Sequence, residues 1–235
     1  MGNTKEKLEQ LIFKVLNKLT KKEEKYIIFE SANFIFDNSY SLYKYIKANY
    51  PQYKFKYVMT NKEQVKCASG CGISKKEILK KSSNPFSVIS LIKYSLKAKA
   101  MFFSYTNYWN KFDYGNKPIV YLPHGEFPIK NVDSYLSEMF RIGNNNWFLY
   151  PTQKNYELHL KAYPILEKIN ALVSGLPRND DIYDHSLSKE RLFKTLNFEG
   201  KEDTSLVLFM PTFRTNDDPN TVYFKDEFPI SINEE

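Results

Sequence analysis

The stretch KYIIFESANFIFDNSYSLYKYIKANYPQYKFKYVM, residues 25–59, contains the unit from which the fold is built. An apolar run at Lys25–Phe29 predicts a buried strand, and apolar residues at helical spacing over Ser39–Tyr50 predict a helix. A second apolar run at Phe55–Met59 predicts another strand. A strand, a helix and a strand in this order indicate a crossover between parallel strands. Glu30 directly follows the first strand, at the edge where such sheets bind ligands.

The same alternation continues along the chain. Further strands are predicted at Ala100–Ser104, Pro118–Leu122, Trp147–Tyr150, Ala171–Ser174 and Ser205–Met210, and further helices at Pro85–Lys97, Gln153–Tyr163 and Asp181–Leu196. We therefore expect an α/β fold with a parallel sheet, in which the loops after the strands open on one edge.

An amphipathic helix is predicted before the first strand. Lysines occupy much of its surface, and its apolar stripe consists of Leu8, Ile12, Val15, Leu16 and Leu19. Such a stripe either packs on the domain or lies in a membrane interface, and the pattern is compatible with both. No apolar stretch approaches the roughly 20 residues of a membrane-spanning helix, and the first residues do not resemble a secretory signal.

The net charge of +7 is concentrated in one part of the chain. Residues 38–111, the basic block, contain fourteen lysines and only Glu63 and Glu77 as acids, whereas residues 112–235 carry more acids than bases. Such a block is typical of a protein with an anionic partner, although solvated surface lysines give the same pattern. No nucleic-acid recognition motif accompanies it, so we expect no nucleic-acid partner.

The two cysteines, Cys67 and Cys71, do not form a metal site in this interpretation. Their CxxxC spacing lacks the second ligand pair that zinc requires. We interpret them as free thiols in a reducing cytoplasm, and we expect no metal and no permanently bound cofactor.

Loops after the predicted strands contain the residues suited to chemistry. His124 stands in a Pro-His-Gly turn, where its imidazole suits a general base for an alcohol, although a structural loop histidine fits equally. In GLPRND, Arg178 can bind phosphate, and Asp180 can orient it or cap the next helix; the block can also be only a turn and a cap. Thr212 and Arg214 can meet an anion or simply end a strand. The other two histidines, His159 and His185, are expected at the surface.

Taken in order, these motifs resemble those of one family. The segments are FESANFIFDNSYSLYKYI (29–46), LIKYSLKAKAMFFSYTNYW (91–109), YLPHGEFPIK (121–130), NNWFLYPTQKNYE (145–157), VSGLPRNDDIY (173–183) and LVLFMPTFRTND (206–217). Together they resemble the CDP-glycerol glycerophosphotransferases of teichoic acid synthesis, from about Tyr26 to Asp218.

The resemblance implies a GT-B-type, two-domain architecture. Residues 1–24 would be the N-terminal helix, residues 25–200 a Rossmann-like acceptor-side domain, and residues 201–235 the start of a truncated donor-side domain. The implied reaction moves glycerol phosphate from CDP-glycerol, a donor substrate, to the terminal hydroxyl of a lipid-linked teichoic-acid-like or capsular acceptor. By this resemblance His124 is the catalytic base, and the substrate-binding residues are Gly125, Lys130, Arg178, Asp180, Thr212 and Arg214.

The sequence also departs from the family pattern. Glu126 stands where the family usually has Thr, so acceptor or donor preference is expected to differ. Nothing after Asp218 resembles the CDP-binding residues, so we expect no transfer by the isolated chain and a separate chain as one source of the missing half. A related glycosyl or ribitol-phosphate transferase, or a non-catalytic half-protein that binds polymer or membrane, remains an alternative.

The resemblance and the basic block together predict the partners and the location. The expected partners are a lipid-linked polyol-phosphate or glycan acceptor and an anionic membrane surface. The expected location is cytoplasmic, on the inner face of the cell membrane.

Overall fold

The computed structural model describes most of the chain. The described residues are 2–31, 35, 37–104, 108–123, 136, 139–141, 143–183 and 188–198. The chain divides into two compact units, residues 1–185 and 186–235. The predicted division into residues 1–24, 25–200 and 201–235 stays a prediction.

The first unit alternates strands and helices. Its strands are β1 (Tyr26–Glu30), β2 (Lys54–Met59), β3 (Ile78–Lys80), β4 (Ala98–Phe103), β5 (Ile119–Tyr121), β6 (Asn146–Tyr150) and β7 (Asn170–Val173). Its α-helices are α1 (Gly2–Leu19), α2 (Asn38–Asn49), α3 (Lys62–Cys67), α4 (Pro85–Leu96) and α5 (Gln153–Ala162). Short 3-10 helices span Tyr108–Lys111, Pro164–Lys168 and Pro177–Tyr183.

The seven strands among the described residues pair in parallel in one sheet, in the order β3-β2-β1-β4-β5-β6-β7. Their carboxyl ends therefore lie at a single edge of the sheet. The chain adds β2 and β3 on one side of β1 and then adds β4 to β7 on the other, so the winding reverses between β1 and β4. The predicted fold class, an α/β fold with a parallel Rossmann-like sheet, is confirmed.

Helices cover both faces of the sheet because neighbouring residues of each strand point to opposite sides. Ile28 of β1 belongs to a buried cluster with Leu91 of α4 and Phe13 of α1. Phe29, the next residue, packs on the other face against Tyr43 of α2, with ring centroids 5.6 Å apart. Burial on both faces explains why the strands read as continuous apolar runs rather than as alternating ones.

The sequence predicted most of the strands correctly. Six predicted strands lie in described residues, and both ends of each lie within two residues of the ends of an observed strand. The seventh, Ser205–Met210, lies outside the described residues. The observed strand β3 was not predicted, because three residues of which only Leu79 is buried show no periodicity.

The predicted helix α1 is present, and its packed face includes only part of the predicted stripe, namely Ile12 and Leu16. Phe13 stacks on Phe112 with ring centroids 4.7 Å apart, and Glu9 is buried beside Lys111. The structure exposes three members of the predicted stripe: Leu8, Val15 and Leu19. The apolar arc of the helix is wider than the surface that the domain covers, so the predicted stripe packs only in part. None of the described helices is long and apolar enough to cross a membrane.

Two further predictions were wrong. The helix predicted at Asp181–Leu196 is not continuous: residues Pro177–Tyr183 form a 3-10 helix, and the α-helix α6 (Lys189–Thr195) begins only after Ser188. The Ser188 hydroxyl accepts a hydrogen bond from the Arg191 amide at 3.2 Å and so caps α6. His159 is buried rather than exposed, because α5 places it against Phe148 and Tyr150.

A partly buried ion pair joins α2 to the loop before β3. Lys47 Nζ lies 2.9 Å from Glu77 Oε1, and the Ser74 amide donates to Glu77 Oε2 at 2.7 Å. Burial alone would raise the pKa of Glu77, but the hydrogen bonds from Lys47 and Ser74 outweigh it and hold the pKa below its ordinary value.

The Glu77→Gln variant is expected to be less stable than the wild type by about 1 kcal/mol at neutral pH. Because the folded-state pKa is lowered, this stability is present above about pH 4 and is lost as the pH falls through the folded-state pKa. Urea unfolding from pH 7 to pH 3 should show the difference shrinking. The exposed acid Glu63, changed to Gln, is the control, and a difference constant with pH would contradict the assignment.

Candidate functional site

The candidate site lies at the switch point of the sheet, which is the place between β1 and β4 where the winding reverses. The carboxyl ends of β1 and β4 meet there, and the Ser104 amide donates to the Glu30 carbonyl at 3.1 Å. In open α/β sheets the chains that leave two such strands diverge and leave a crevice between them. Open α/β sheets bind their ligands in this position.

Buried serines hold the beginning of α2 against these strand ends. Ser39 Oγ donates to the Glu30 carbonyl at 2.9 Å and lies 2.6 Å from Ser104 Oγ. Ser31 Oγ donates to the Ile35 carbonyl at 3.2 Å. Since all three serines are nearly fully buried, these bonds replace water and fix the helix start rigidly.

Tyr57 extends this network under the loop after β1. Its hydroxyl is hydrogen-bonded to Ser31 Oγ. Burial raises the pKa of Tyr57 well above its ordinary value, so the ring carries a neutral hydroxyl. The network is therefore structural and supplies no acid or base near neutral pH.

Asn38 connects two loops that are far apart in sequence. Its side chain is fully buried, its Nδ2 donates to the Pro123 carbonyl at 2.5 Å, and its Oδ1 accepts from the Arg178 amide at 3.1 Å. Pro123 follows β5 and Arg178 follows β7. One amide thus ties the residue preceding His124 to the Gly-Leu-Pro-Arg loop.

Asp37 adds a charge to the same junction. It is the N-cap residue of α2, yet its side chain makes no capping hydrogen bond. Its buried carboxylate instead lies 3.5 Å from the guanidinium of Arg178. Since the Arg178 side chain is 39% exposed, an anionic ligand can still reach it.

A second ion pair lies at the same edge and spans β2, from the end of β1 to the end of β3. Lys81, just after β3, lies 2.6 Å from Glu30 Oε1, and the Glu30 side chain is only 1% exposed. A carboxylate this deeply buried requires a cation or several donors nearby. The pair connects the end of β3 to the switch point.

Comparison with known proteins now identifies the family. Residues 12–231 match the family described as CDP-glycerol:poly(glycerophosphate) glycerophosphotransferase. The chain belongs to this family. No curated protein matches the chain.

A solved structure is also similar to this chain. The wall teichoic acid polymerase TagF, as a histidine-to-asparagine variant soaked with CDPG, matches with a TM-score of 0.51 and 16% identity. The match covers 80% of this chain and 51% of the TagF chain, so this chain spans about half the length of TagF. At this identity the likeness shows the fold alone.

Two of the predicted site residues of this glycerophosphotransferase family member lie among the described residues. Arg178 is at the switch-point junction, and Asp180 is exposed in the same 3-10 helix, so Asp180 does not cap an α-helix beginning at residue 181. The remaining predicted site residues lie outside the described residues and stay predictions: His124, Gly125, Lys130, Thr212 and Arg214.

Sequence reasoning missed three residues that connect the loops of the candidate site. Asp37, Asn38 and Lys81 were not among the predicted site residues. The available signal was the Asp-Asn pair at the predicted start of α2, which belongs to the motif that carried the family resemblance. Among the described residues, no group of three or more His, Cys, Asp or Glu side chains is placed to hold a metal ion.

Proposed function

We propose that this chain forms the acceptor side of an enzyme that transfers glycerol phosphate from CDP-glycerol to the terminal hydroxyl of a lipid-linked acceptor, teichoic-acid-like or capsular. The observation that carries the proposal is the link through Asn38 between Arg178 and the residue before His124. Such a transfer uses a general base and a cationic side chain that binds phosphate, and this proposal places both at one edge of the sheet. Family membership supports CDP-glycerol as the donor.

In the proposed reaction His124 accepts the proton of the acceptor hydroxyl. The hydroxyl oxygen attacks the phosphorus that bears glycerol, the bond from this phosphorus to the bridging oxygen breaks, and CMP leaves with that oxygen. A phosphodiester forms, and the acceptor grows by one unit. Arg178 offsets the negative charge on the phosphoryl oxygens.

Other residues of the predicted site have supporting roles in this proposal. Lys130, Thr212 and Arg214 hold phosphate oxygens, Gly125 leaves room for the substrate beside His124, and Asp180 orients Arg178 or the acceptor. The CDP moiety is held by a donor-side domain that begins near residue 201 or comes from a separate chain.

The test is transfer of labelled glycerol phosphate to a lipid-linked acceptor, with release of CMP, in the presence of a donor-side domain. Label is expected in the acceptor only when CDP-glycerol is the donor. Transfer from CDP-ribitol or from a nucleotide sugar instead would contradict the donor. Acceptor binding without any transfer would leave a non-catalytic binding protein.

We also propose that the chain works on the inner face of the cell membrane and that α1 provides the lipid contact. The outer stripe of α1, defined as Leu8, Leu11, Val15 and Leu19, is 47–77% exposed in the structure. These residues follow one another at helical spacing, and the exposed Lys7, Lys14 and Lys18 lie beside them on the helix. An apolar stripe bordered by lysines suits an anionic membrane interface.

The Leu11→Ser variant is expected to bind vesicles of anionic phospholipid about tenfold more weakly than the wild type, because one buried leucine is lost from the interface. Sedimentation with vesicles, with and without anionic lipid and at low and high salt, measures the effect. Leu158→Ser on α5 is the matched control, since this leucine is also exposed. Vesicle binding that depends on neither anionic lipid nor salt would contradict the proposal.

A further inference from the structure

A second cleft lies at the carboxyl edge of the sheet, beside the switch point. It has a volume of about 470 Å³ and is formed where β2 ends, where α3 begins and where β3 ends. Apolar side chains of Met59 and Val65 line it, and four lysines surround them: Lys62, Lys66, Lys80 and Lys81. We call it the β2–β3 cleft.

The fold determines where these lysines lie. Asn61 caps α3, since its Oδ1 accepts from the Gln64 amide at 2.8 Å, and this places the helix start directly after β2. Lys62 and Lys66 are four residues apart, so they lie on one face of α3. Lys80 ends β3 and therefore comes to the same edge of the sheet.

Three of the four cleft lysines lack an acidic partner in the part of the chain that the structure describes, whereas three lysines elsewhere in the basic block have one. Lys47 is paired with Glu77, Lys111 with Glu9, and Lys97 lies 3.9 Å from Glu23. Among the described residues, no carboxylate lies within 4 Å of the ammonium groups of the three exposed cleft lysines, Lys62, Lys66 and Lys80. The cleft therefore groups around one opening three ammonium groups without an acidic partner in the described ranges, and Lys81, which is paired with Glu30, is the fourth lysine of its rim.

The chemistry of the cleft selects its ligand. A cationic rim around an apolar floor fits a chain in which phosphates alternate with short aliphatic segments, as in a polyol phosphate. The position of the cleft also fits this ligand. His124 follows β5 in the sequence, and β2 and β5 are three strands apart in the sheet, which is about 14 Å at the usual strand spacing. Lys81 connects the cleft to the switch point through Glu30.

We propose that the β2–β3 cleft binds the phosphodiester backbone of the acceptor chain behind its reacting terminus. This inference rests on the proposed function and names the acceptor subsite. The polymer would lie along the carboxyl edge of the sheet, with its phosphates at the cleft lysines and its terminal hydroxyl at His124.

The test is binding of a soluble oligo(glycerol phosphate), without lipid or donor, to the full chain by calorimetry. The variant K62A/K66A/K80A is expected to bind about tenfold more weakly, with a smaller dependence on salt. Lys81 is left intact because its removal would take the cation from buried Glu30. The control is K154A/K161A/K168A, which removes the same charge from exposed lysines outside the cleft and is expected to bind like the wild type.

Each outcome separates this inference from the proposed function. If both triple variants bound the oligomer equally weakly, the effect would be a general electrostatic attraction, and the cleft would not be the binding site. Weaker binding to phosphatidylglycerol vesicles but unchanged binding to the oligomer would assign the cleft to lipid headgroups and also overturn it. Loss of oligomer binding in the cleft variant alone would support the cleft as the acceptor subsite. A failure to transfer glycerol phosphate from CDP-glycerol would contradict the proposed reaction but not the cleft.

Discussion

Replacing His124 with alanine is expected to lower the rate of glycerol phosphate transfer by about two to four orders of magnitude. The acceptor hydroxyl is a poor nucleophile until its proton is removed, and an imidazole with an ordinary pKa is half deprotonated near neutral pH. Without this base, the proton must pass to water during attack on phosphorus. Labelled transfer from CDP-glycerol, measured with the donor-side domain present, gives the rate.

The shape of the pH profile and a second histidine variant make this prediction specific. In the wild type, kcat/KM should fall as the pH drops through the pKa of the base, and the alanine variant should lack this limb. His185→Ala is the control and is expected to keep the full rate. If His124→Ala retained more than about a tenth of the activity, His124 would not be the base. Unchanged acceptor affinity alongside lost turnover would separate an enzyme from a binding protein.

The sequence predicted the sheet well because its strands are buried on both faces. An apolar run such as Phe55–Met59 has few other interpretations when helices precede and follow it. The same reasoning missed β3, because a strand of three residues with only one buried side chain shows no periodicity of apolar residues. It also located the packed face of α1 only in part, because leucine spacing alone does not reveal that Phe13 stacks on Phe112.

The candidate site was predictable only in outline. A parallel sheet brings every loop that follows a strand to one edge, so the loops of Glu30, Pro123 and Arg178 could be expected to meet. The bonds between them could not be, because Asn38 contacts residues 85 and 140 positions away. No local pattern encodes such contacts. For the same reason, the cleft lysines could be counted in the sequence but not located.

Replacing Asn38 with alanine is expected to lower both stability and turnover. The change leaves the Pro123 carbonyl and the Arg178 amide without their partner, which costs about 2–4 kcal/mol in the free energy of unfolding. For a unit of this size, the melting temperature should fall by roughly 5–15 °C. At a temperature where the variant is folded, kcat should still fall about 10–100-fold, because the loop that begins at Pro123 is no longer held in position.

Two further variants show whether Asn38 positions the loop or only supports the fold. Asn38→Asp keeps an acceptor for the Arg178 amide but turns an oxygen toward the Pro123 carbonyl, so it should reduce kcat while leaving the KM for acceptor nearly unchanged. Ser39→Ala removes the bonds to Glu30 and Ser104 at the same helix start and should cost about 1 kcal/mol of stability without lowering kcat. Circular dichroism and the transfer assay on the same samples measure both effects. If Ser39→Ala lowered kcat as much as Asn38→Ala, the loss would reflect a loosened α2, and the link from Asn38 to the catalytic loop would have no separate role.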